Sequence, residues 1–362
     1  MKCQIQVSDG KLTVYPAAIQ LVKPLMAQLG QPLQYESIRH PPNFEPLFQR
    51  ARRNRVSISK EAISKATLEE LWKIHDAQDQ ANPSNNGATL LDLKIEIVKR
   101  LYENCCLCGH RCQISRFRKK GKCDLLWGSY YDYWGELVGE EAPINPAAGV
   151  ALYGCTWHCA FCHAHDYLGC ASLEAKPLDS GLWREIDYSQ CQTIQFSAAG
   201  DPIPNLLSIL EALRGAPEDM RHPIVWSSNS YGSKETWTVL NSLVDVFLID
   251  LKFENDNCAF NLAGCPNHNQ VAIQTLEALR YSSGKKIVRW LQLPGHLECC
   301  GQNIIRMLEP YNFYISLVED FIPDNQMEPS RRNTEQEIQK AREMIESHGL
   351  KNIYEQGDKF WK

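Results

Sequence analysis

The sequence predicts an α/β fold, a partial (β/α)6 barrel left open, behind a mainly helical N-terminal extension and a Cys-rich segment. Three observations predict it. From about residue 148 short apolar runs alternate with helical stretches, the pattern of repeated parallel strand–helix–strand units. Six such units make part of a barrel rather than a closed ring of eight strands. A loop carrying Cys155, Cys159 and Cys162 follows the first run, and barrels of this kind carry their chemistry on loops leaving the C-terminal ends of strands.

Taken in order, residues 2–15 alternate around Ser8-Asp9-Gly10 and read as a hairpin. Thr67-Leu-Glu-Glu70 is a capping-box pattern that opens a helical run to Asp79. Asn82-Pro-Ser-Asn-Asn-Gly87 is a turn-rich linker, and residues 90–103 read as an amphipathic helix leading to the first Cys group. The expected strands are Val150–Tyr153, Thr193–Phe196, Ile224–Trp226, Val244–Leu251, Ile287–Leu293 and Phe313–Leu317. Helices are expected near 203–214, 234–243, 268–281, 301–309 and 334–348. This divides the chain into a hairpin and helical region of unassigned role over 1–88, a helix with a Cys-rich metal-binding segment over 89–147, and the barrel over 148–362.

Composition excludes several classes. An apolar content of 44% over 362 residues supports a substantial core, and no apolar run is long enough to span a membrane. The start, MKCQIQVSDGKLTVYP, lacks the charged-then-apolar pattern of a secretory signal. A net charge of −5 argues against a generally nucleic-acid-binding surface. Fifteen clustered cysteines without a signal read as reduced, metal-binding thiols of a cytoplasmic protein, not as a disulfide framework.

Cys155, Cys159 and Cys162 put three thiolates within eight residues. Three ligands can hold three irons of a [4Fe–4S] cluster and leave the fourth open to a cofactor, whereas zinc sites usually take four protein ligands in paired short spacings. Cys105, Cys108, Cys112 and Cys123 form a second constellation that can close around a metal with no open position, as structural zinc or as an auxiliary iron–sulfur cluster. Cys106 is adjacent and can stand in for Cys105. Cys258, Cys265, Cys299 and Cys300 are expected to be inert, partly buried thiols, with a third metal only if the loops after the fourth and fifth strands converge. Cys3, Cys170 and Cys191 carry no signal. The basic run Arg111, Arg116, Arg118, Lys119, Lys120 and Lys122 reads as a solvated loop around a metal knuckle in preference to an RNA-binding patch.

The three-Cys spacing, with Phe161 just before the last Cys, resembles the signature of the radical S-adenosylmethionine (SAM) superfamily. Joined to the upstream Cys group, Asn229-Ser-Tyr231, Val244-Asp-Val-Phe-Leu-Ile-Asp-Leu-Lys252 and Arg289-Trp-Leu-Gln-Leu-Pro-Gly-His296, it resembles the pyruvate formate-lyase activating enzyme-related radical SAM proteins over residues 103–322. The resemblance implies Cys155, Cys159 and Cys162 as ligands of a [4Fe–4S] cluster whose open iron takes SAM. One electron, from a reductant such as flavodoxin or ferredoxin, then yields a 5′-deoxyadenosyl radical that abstracts hydrogen from a protein or peptide, an oxidoreductase-type reaction. It places Phe161 against the adenine, Gly200 and Asp201 at the SAM ammonium and Lys252 at the SAM carboxylate, with Asn229 and Asp250 among the cofactor-binding residues. Arg289 falls to the carboxylate or ribose.

The chain departs from that pattern in places. Ala199 replaces a Gly, Asp201 a Glu, and Ser227 an Asp that helps the activases hold a monovalent cation. His163-Ala-His165-Asp166 replaces a common Gln-Asn, and reads as proton donors or as hydrogen-bond donors to the cluster. His296 reads equally as a surface residue and a site residue. Two other functions fit the residues: radical SAM modification of a small metabolite, and a non-enzymatic metal-bearing scaffold that binds RNA or protein through 105–123.

Overall fold

The computed structural model describes residues 5–8, 11–14, 40–41, 43–77, 87–137, 141–169, 171–319, 321, 329–356 and 359–361. Cys3, Cys170, the tip of the N-terminal hairpin, the end of the run to Asp79 and most of the 82–87 linker lie outside the described residues. The hairpin strands β1 (Ile5–Ser8) and β2 (Lys11–Val14) pair antiparallel, as the alternation predicts. The N-terminal extension continues with α1 (Leu47–Arg53), β3 (Arg55–Ser59), α2 (Lys60–Ile63) and α3 (Leu68–Asp76), and β3 pairs antiparallel with β4 (Gly87–Thr89). The predicted capping box opens α3: the Thr67 hydroxyl accepts from the Glu70 amide, and the Glu70 carboxylate accepts from the Thr67 amide.

Helix α4 (Leu90–Glu103) opens on an equivalent box from Thr89 and Asp92. It packs between α1 and α3 on one side and the barrel helices α5 (Leu206–Arg214) and α6 (Lys234–Leu240) on the other. Both faces are therefore covered, and even Lys94 is buried.

The main sheet has nine strands. Six parallel strands run in sequential order: β6 (Ala147–Leu152), β8 (Thr193–Phe196), β9 (Ile224–Asn229), β10 (Val246–Asp250), β11 (Lys285–Leu291) and β12 (Tyr314–Val318). A two-residue parallel strand, β13 (Lys351–Asn352), follows β12. On the other flank β5 (Tyr130–Leu137) lies antiparallel to β6, and β7 (Lys176–Pro177) antiparallel to β5. The two ends of the sheet do not meet, which makes this the open (β/α)6 barrel expected. Strands β6, β8 and β9 are buried at every residue, the signature of parallel strands covered on both faces.

The crossovers are α5, α6, then α7 (Asp256–Ala263) with α8 (His268–Arg280), then α9 (Gln302–Leu308) behind a π-helical turn over Leu297–Gly301, and α10 (Glu335–Ser347). Register fixes what faces what. Asn229, Asp250, Arg289 and Ser316 are Cα partners across β9, β10, β11 and β12, so these polar residues form one row, at the C-terminal ends of β9 and β10 and within β11 and β12.

Candidate active site

The three-Cys loop leaves β6 through Gly154, whose φ of +79° and close approach to Leu125 leave no room for a side chain. Backbone hydrogen bonds hold the loop. The His158 amide donates to the Ala263 carbonyl at 3.0 Å and the Ala160 amide to the Leu262 carbonyl at 2.8 Å, tying the loop to the C-terminal end of α7. Gly200 is held more tightly still. At φ +69°, a Cβ there would stand 2.0 Å from the Leu152 carbonyl oxygen, so only glycine lets the turn after β8 lie against β6.

One cavity at the C-terminal ends of the strands is lined by Cys155, Cys159, Cys162, Phe161, Gly200, Asp201, Asn229, Asp250, Lys252 and Arg289. These are the residues that the resemblance assigns to cluster and cofactor. Ala199, Ser227, His163 and Trp157 also line it. His165 is an exposed residue beside Asp166.

The thiols have specific neighbours. The Cys155 sulfur accepts from the Trp157 amide at 3.4 Å and lies 3.8 Å from Asn229 Nδ2. Burial pushes the Cys155 thiol well up, reinforced by the Asp201 carboxylate, and pushes Cys159 up to about 12 despite the lowering effect of Lys252. Burial also raises Cys162. Such thiols ionise when a cationic centre binds them.

Asp201 lines the cavity and is itself almost fully buried. Its carboxylate accepts from the Ile203 amide at 2.8 Å, from the Ser228 hydroxyl at 3.2 Å and from the Thr156 hydroxyl at 3.3 Å. Burial raises it to about 6, opposed by those donors. It ties the loops after β6 and β8 to the end of β9, so beside the ammonium contact expected of it Asp201 has a positioning task in this chain.

Lys252 and Asp250 form an ion pair at 2.5 Å, with the ammonium 5.1 Å from the Trp157 ring centroid. Burial alone would raise the Asp250 carboxyl, but the charges of Lys252 and Arg289 outweigh it and hold the group below its usual range. Burial likewise opposes the charge on Lys252, and Asp250 reverses this to raise it. Arg289 grips Glu141 with two hydrogen bonds, Nε to Oε1 at 2.9 Å and Nη2 to Oε2 at 3.0 Å, and reaches Asp250 at 3.5 Å. Ser316 donates to Glu141 at 2.8 Å. Arg289, expected at the SAM carboxylate or ribose, has Glu141 as its principal partner here. Phe161 lies at the cavity with its ring packed near Phe253 and Phe321.

Sequence reasoning missed Glu141, Trp157 and His268. Trp157 stands inside the Cys motif and could have been read from it, while Glu141 and His268 lie in no motif. His268 is buried against Trp157, Tyr231 and Phe253, and burial lowers it to about 4, so it stays neutral.

The second Cys group is docked beside this region. Cys105, Cys108 and Cys123 are buried, Cys112 half-buried, and Gly109 donates its amide to the Tyr231 carbonyl after β9. A Cβ at Gly109 would overlap the Tyr231 ring at 2.5 Å. Arg116, read in sequence as part of a solvated basic run, is instead buried. It donates to the Leu126 carbonyl at 2.8 Å and lies over the Tyr102 ring, its charge set near Cys105 and Cys123. Arg111 pairs with Glu235. Among the described residues, the group whose ligand atoms all lie within 4.8 Å of one another is Cys258, His296, Cys299 and Cys300. The loops after β10 and β11 thus converge, which is the condition the sequence set for a third metal among these thiols.

No family model matches the chain. The uncharacterized protein MJ0674 of Methanocaldococcus jannaschii is 31% identical over 323 residues, covering 82% of this chain and 93% of that protein. The chain belongs to the same family as MJ0674. Membership of the MJ0674 family brings no activity with it, because the relative is itself uncharacterized. Among solved structures, a radical SAM methyltransferase from Sphaerobacter thermophilus aligns with a TM-score of 0.46 at 14% identity, over 82% of this chain and 94% of that one. Streptococcus suis SuiB bound to S-adenosylmethionine aligns with a TM-score of 0.38 at 15% identity, over 54% of this chain and 45% of that one. Likenesses of this strength carry no argument about activity.

Proposed function

We propose that this chain is a radical SAM enzyme, activase-like, that abstracts hydrogen from a protein or peptide substrate. One observation carries the reading: Cys155, Cys159 and Cys162 share a single cavity with Phe161, Gly200, Asp201, Asn229, Asp250, Lys252 and Arg289. These residues come from five different strands or the loops after them, and only the fold brings them together.

The donor set fits a [4Fe–4S] cluster with one open iron. Three thiols come from one loop, and among the described lining residues no fourth Cys joins them. When bound and reduced, such a cluster supplies the electron that cleaves SAM. The chain's own residues have other work. Lys252 and Arg289 line the cavity as members of ion pairs with Asp250 and Glu141, polar groups that a ligand carboxylate can join. Asn229 directs its amide toward Cys155 and accepts from the Tyr231 amide at 3.1 Å, which fixes its orientation. Asp201 and Thr156 hold the loops after β6 and β8 against the end of β9, so the binding residues are positioned before any ligand arrives. The open edge of the barrel leaves a side for a segment of a larger substrate to approach.

The test is anaerobic. The protein is reconstituted with iron and sulfide and reduced with dithionite, and 5′-deoxyadenosine is measured beside SAM binding. We expect deoxyadenosine from the wild type and none from the Cys155→Ala, Cys159→Ala, Cys162→Ala triple variant. A cluster-loaded wild type that binds no SAM overturns the reading and favours the metal-bearing scaffold.

A further inference from the structure

Beyond the cavity, two crossover segments meet at a cluster of metal-binding side chains that the proposed chemistry does not use. Cys258 stands in the first turn of α7, which follows β10. His296, Cys299 and Cys300 come from the segment after β11, the last two within the π-helical turn Leu297–Gly301. The amides of both Cys300 and Gly301 donate to the His296 carbonyl, at 3.0 and 3.2 Å. This widened turn brings two adjacent cysteines and the preceding histidine to one point, and such turns occur often at functional sites.

Cys258 Sγ lies 3.7 Å from Cys299 Sγ, and Cys299 Sγ lies 3.3 Å from His296 Nδ1 and 3.9 Å from Cys300 Sγ. All four ligand atoms fall within 4.8 Å of one another. A tetrahedral ion with metal–sulfur bonds of about 2.3 Å separates its sulfurs by about 3.8 Å. The four groups therefore have the spacing of a single-ion site. A four-iron cluster, with each thiolate on a different iron, spreads its ligands wider.

We propose that Cys258, His296, Cys299 and Cys300 form a closed site, three thiolates and one imidazole, for one zinc-type divalent ion. With four protein ligands and no open position, the site is structural. It joins α7 to the turn after β11. The opposite end of α7 supplies the Leu262 and Ala263 carbonyls that hold the Ala160 and His158 amides of the three-Cys loop. The ion thus braces the wall that carries that loop. The proposal stands on its own geometry and does not depend on the reading of the cavity.

The test measures zinc and iron per chain, by mass spectrometry of metals, in full-length protein purified anaerobically from zinc-supplemented cells. The wild type is expected to hold one zinc that the Cys258→Ser, Cys299→Ser double variant lacks, with iron unchanged. Where the double variant fails to fold, His296→Ala and His296→Cys decide. The first is expected to lose that zinc, and the second to keep it on four thiolates. Equal zinc in wild type and His296→Ala overturns the proposal, as does a wild type whose Cys258 and Cys299 are recovered as a disulfide without zinc.

Discussion

At the scale of single residues, the candidate site separates what is local from what the fold assembles. The three-Cys loop was legible because its ligands lie within eight residues and their spacing carries the chemistry. Asp250 and Lys252 were legible because a strand of apolar residues aims them. Glu141 was not. It lies 148 positions before Arg289, in no motif, and only the row Asn229–Asp250–Arg289–Ser316 gives it meaning. Its carboxylate is 1% exposed and pairs with Arg289, which is 21% exposed and also reaches Asp250. Removing Glu141 leaves Arg289 with that weaker contact, so the loss falls short of the cost of breaking an isolated buried pair. Glu141→Ala is therefore expected to lose about 1–3 kcal/mol in urea unfolding, with weaker SAM binding as Arg289 turns away from the cavity. An unfolding midpoint equal to the wild type's would show that the pair contributes nothing net.

At the scale of elements, α4 shows where a period-based reading stops. The pattern over 90–103 reads as amphipathic, with a polar face for solvent, yet ten of its fourteen residues are buried. Sequence periodicity reports how apolar residues are spaced along a helix, and a second covering layer is invisible to it. Burial lowers the Lys94 amine to about 7, and its hydrogen bonds show how a lysine is held there. Its ammonium donates to the carbonyls of Val239 at 2.7 Å, Asn241 at 2.6 Å and Thr238 at 3.3 Å, at the C-terminal end of α6. These are carbonyls that a helix leaves unpaired at its end, where the helix dipole favours a cation. Lys94→Met keeps the aliphatic stem but abandons the acceptors, which costs about 1–3 kcal/mol. The expected readout is an earlier unfolding midpoint, with faster hydrogen exchange over 234–243 than over β10. Unchanged exchange at that helix end would remove Lys94 from the role of cap.

At the scale of the whole molecule, the parallel strands were legible because most of their residues are buried, every one of them in β6, β8 and β9, so that they read as short apolar runs. The antiparallel flank was not: Tyr130–Leu137 mixes aromatic and polar residues with a glycine, and of its described side chains only Tyr131 is fully buried. Nor did the sequence show how the N-terminal extension is fastened to the barrel. Asp245 does this. Buried just before β10, its carboxylate accepts from the Leu47 amide of α1 at 2.9 Å and from the Ile224 amide of β9 at 2.7 Å. Burial raises it to about 7, against the lowering pull of those two amides. A carboxyl raised in the folded chain keeps its proton at pH values where the unfolded chain has released it. Between about pH 4 and pH 7 the native state therefore binds more protons, and stability falls as pH rises through that window. Three pH units at about 1.4 kcal/mol each set an upper bound of about 4 kcal/mol. Asp245→Asn cannot titrate, and the remaining groups are common to both proteins. The wild type is expected to lose stability relative to Asp245→Asn between about pH 4.5 and 7.5, by roughly 1–4 kcal/mol in anaerobic urea unfolding. Parallel stability curves across that range would mean that Asp245 is already ionised in the folded protein, and that the link between extension and barrel is a charge held by two amides.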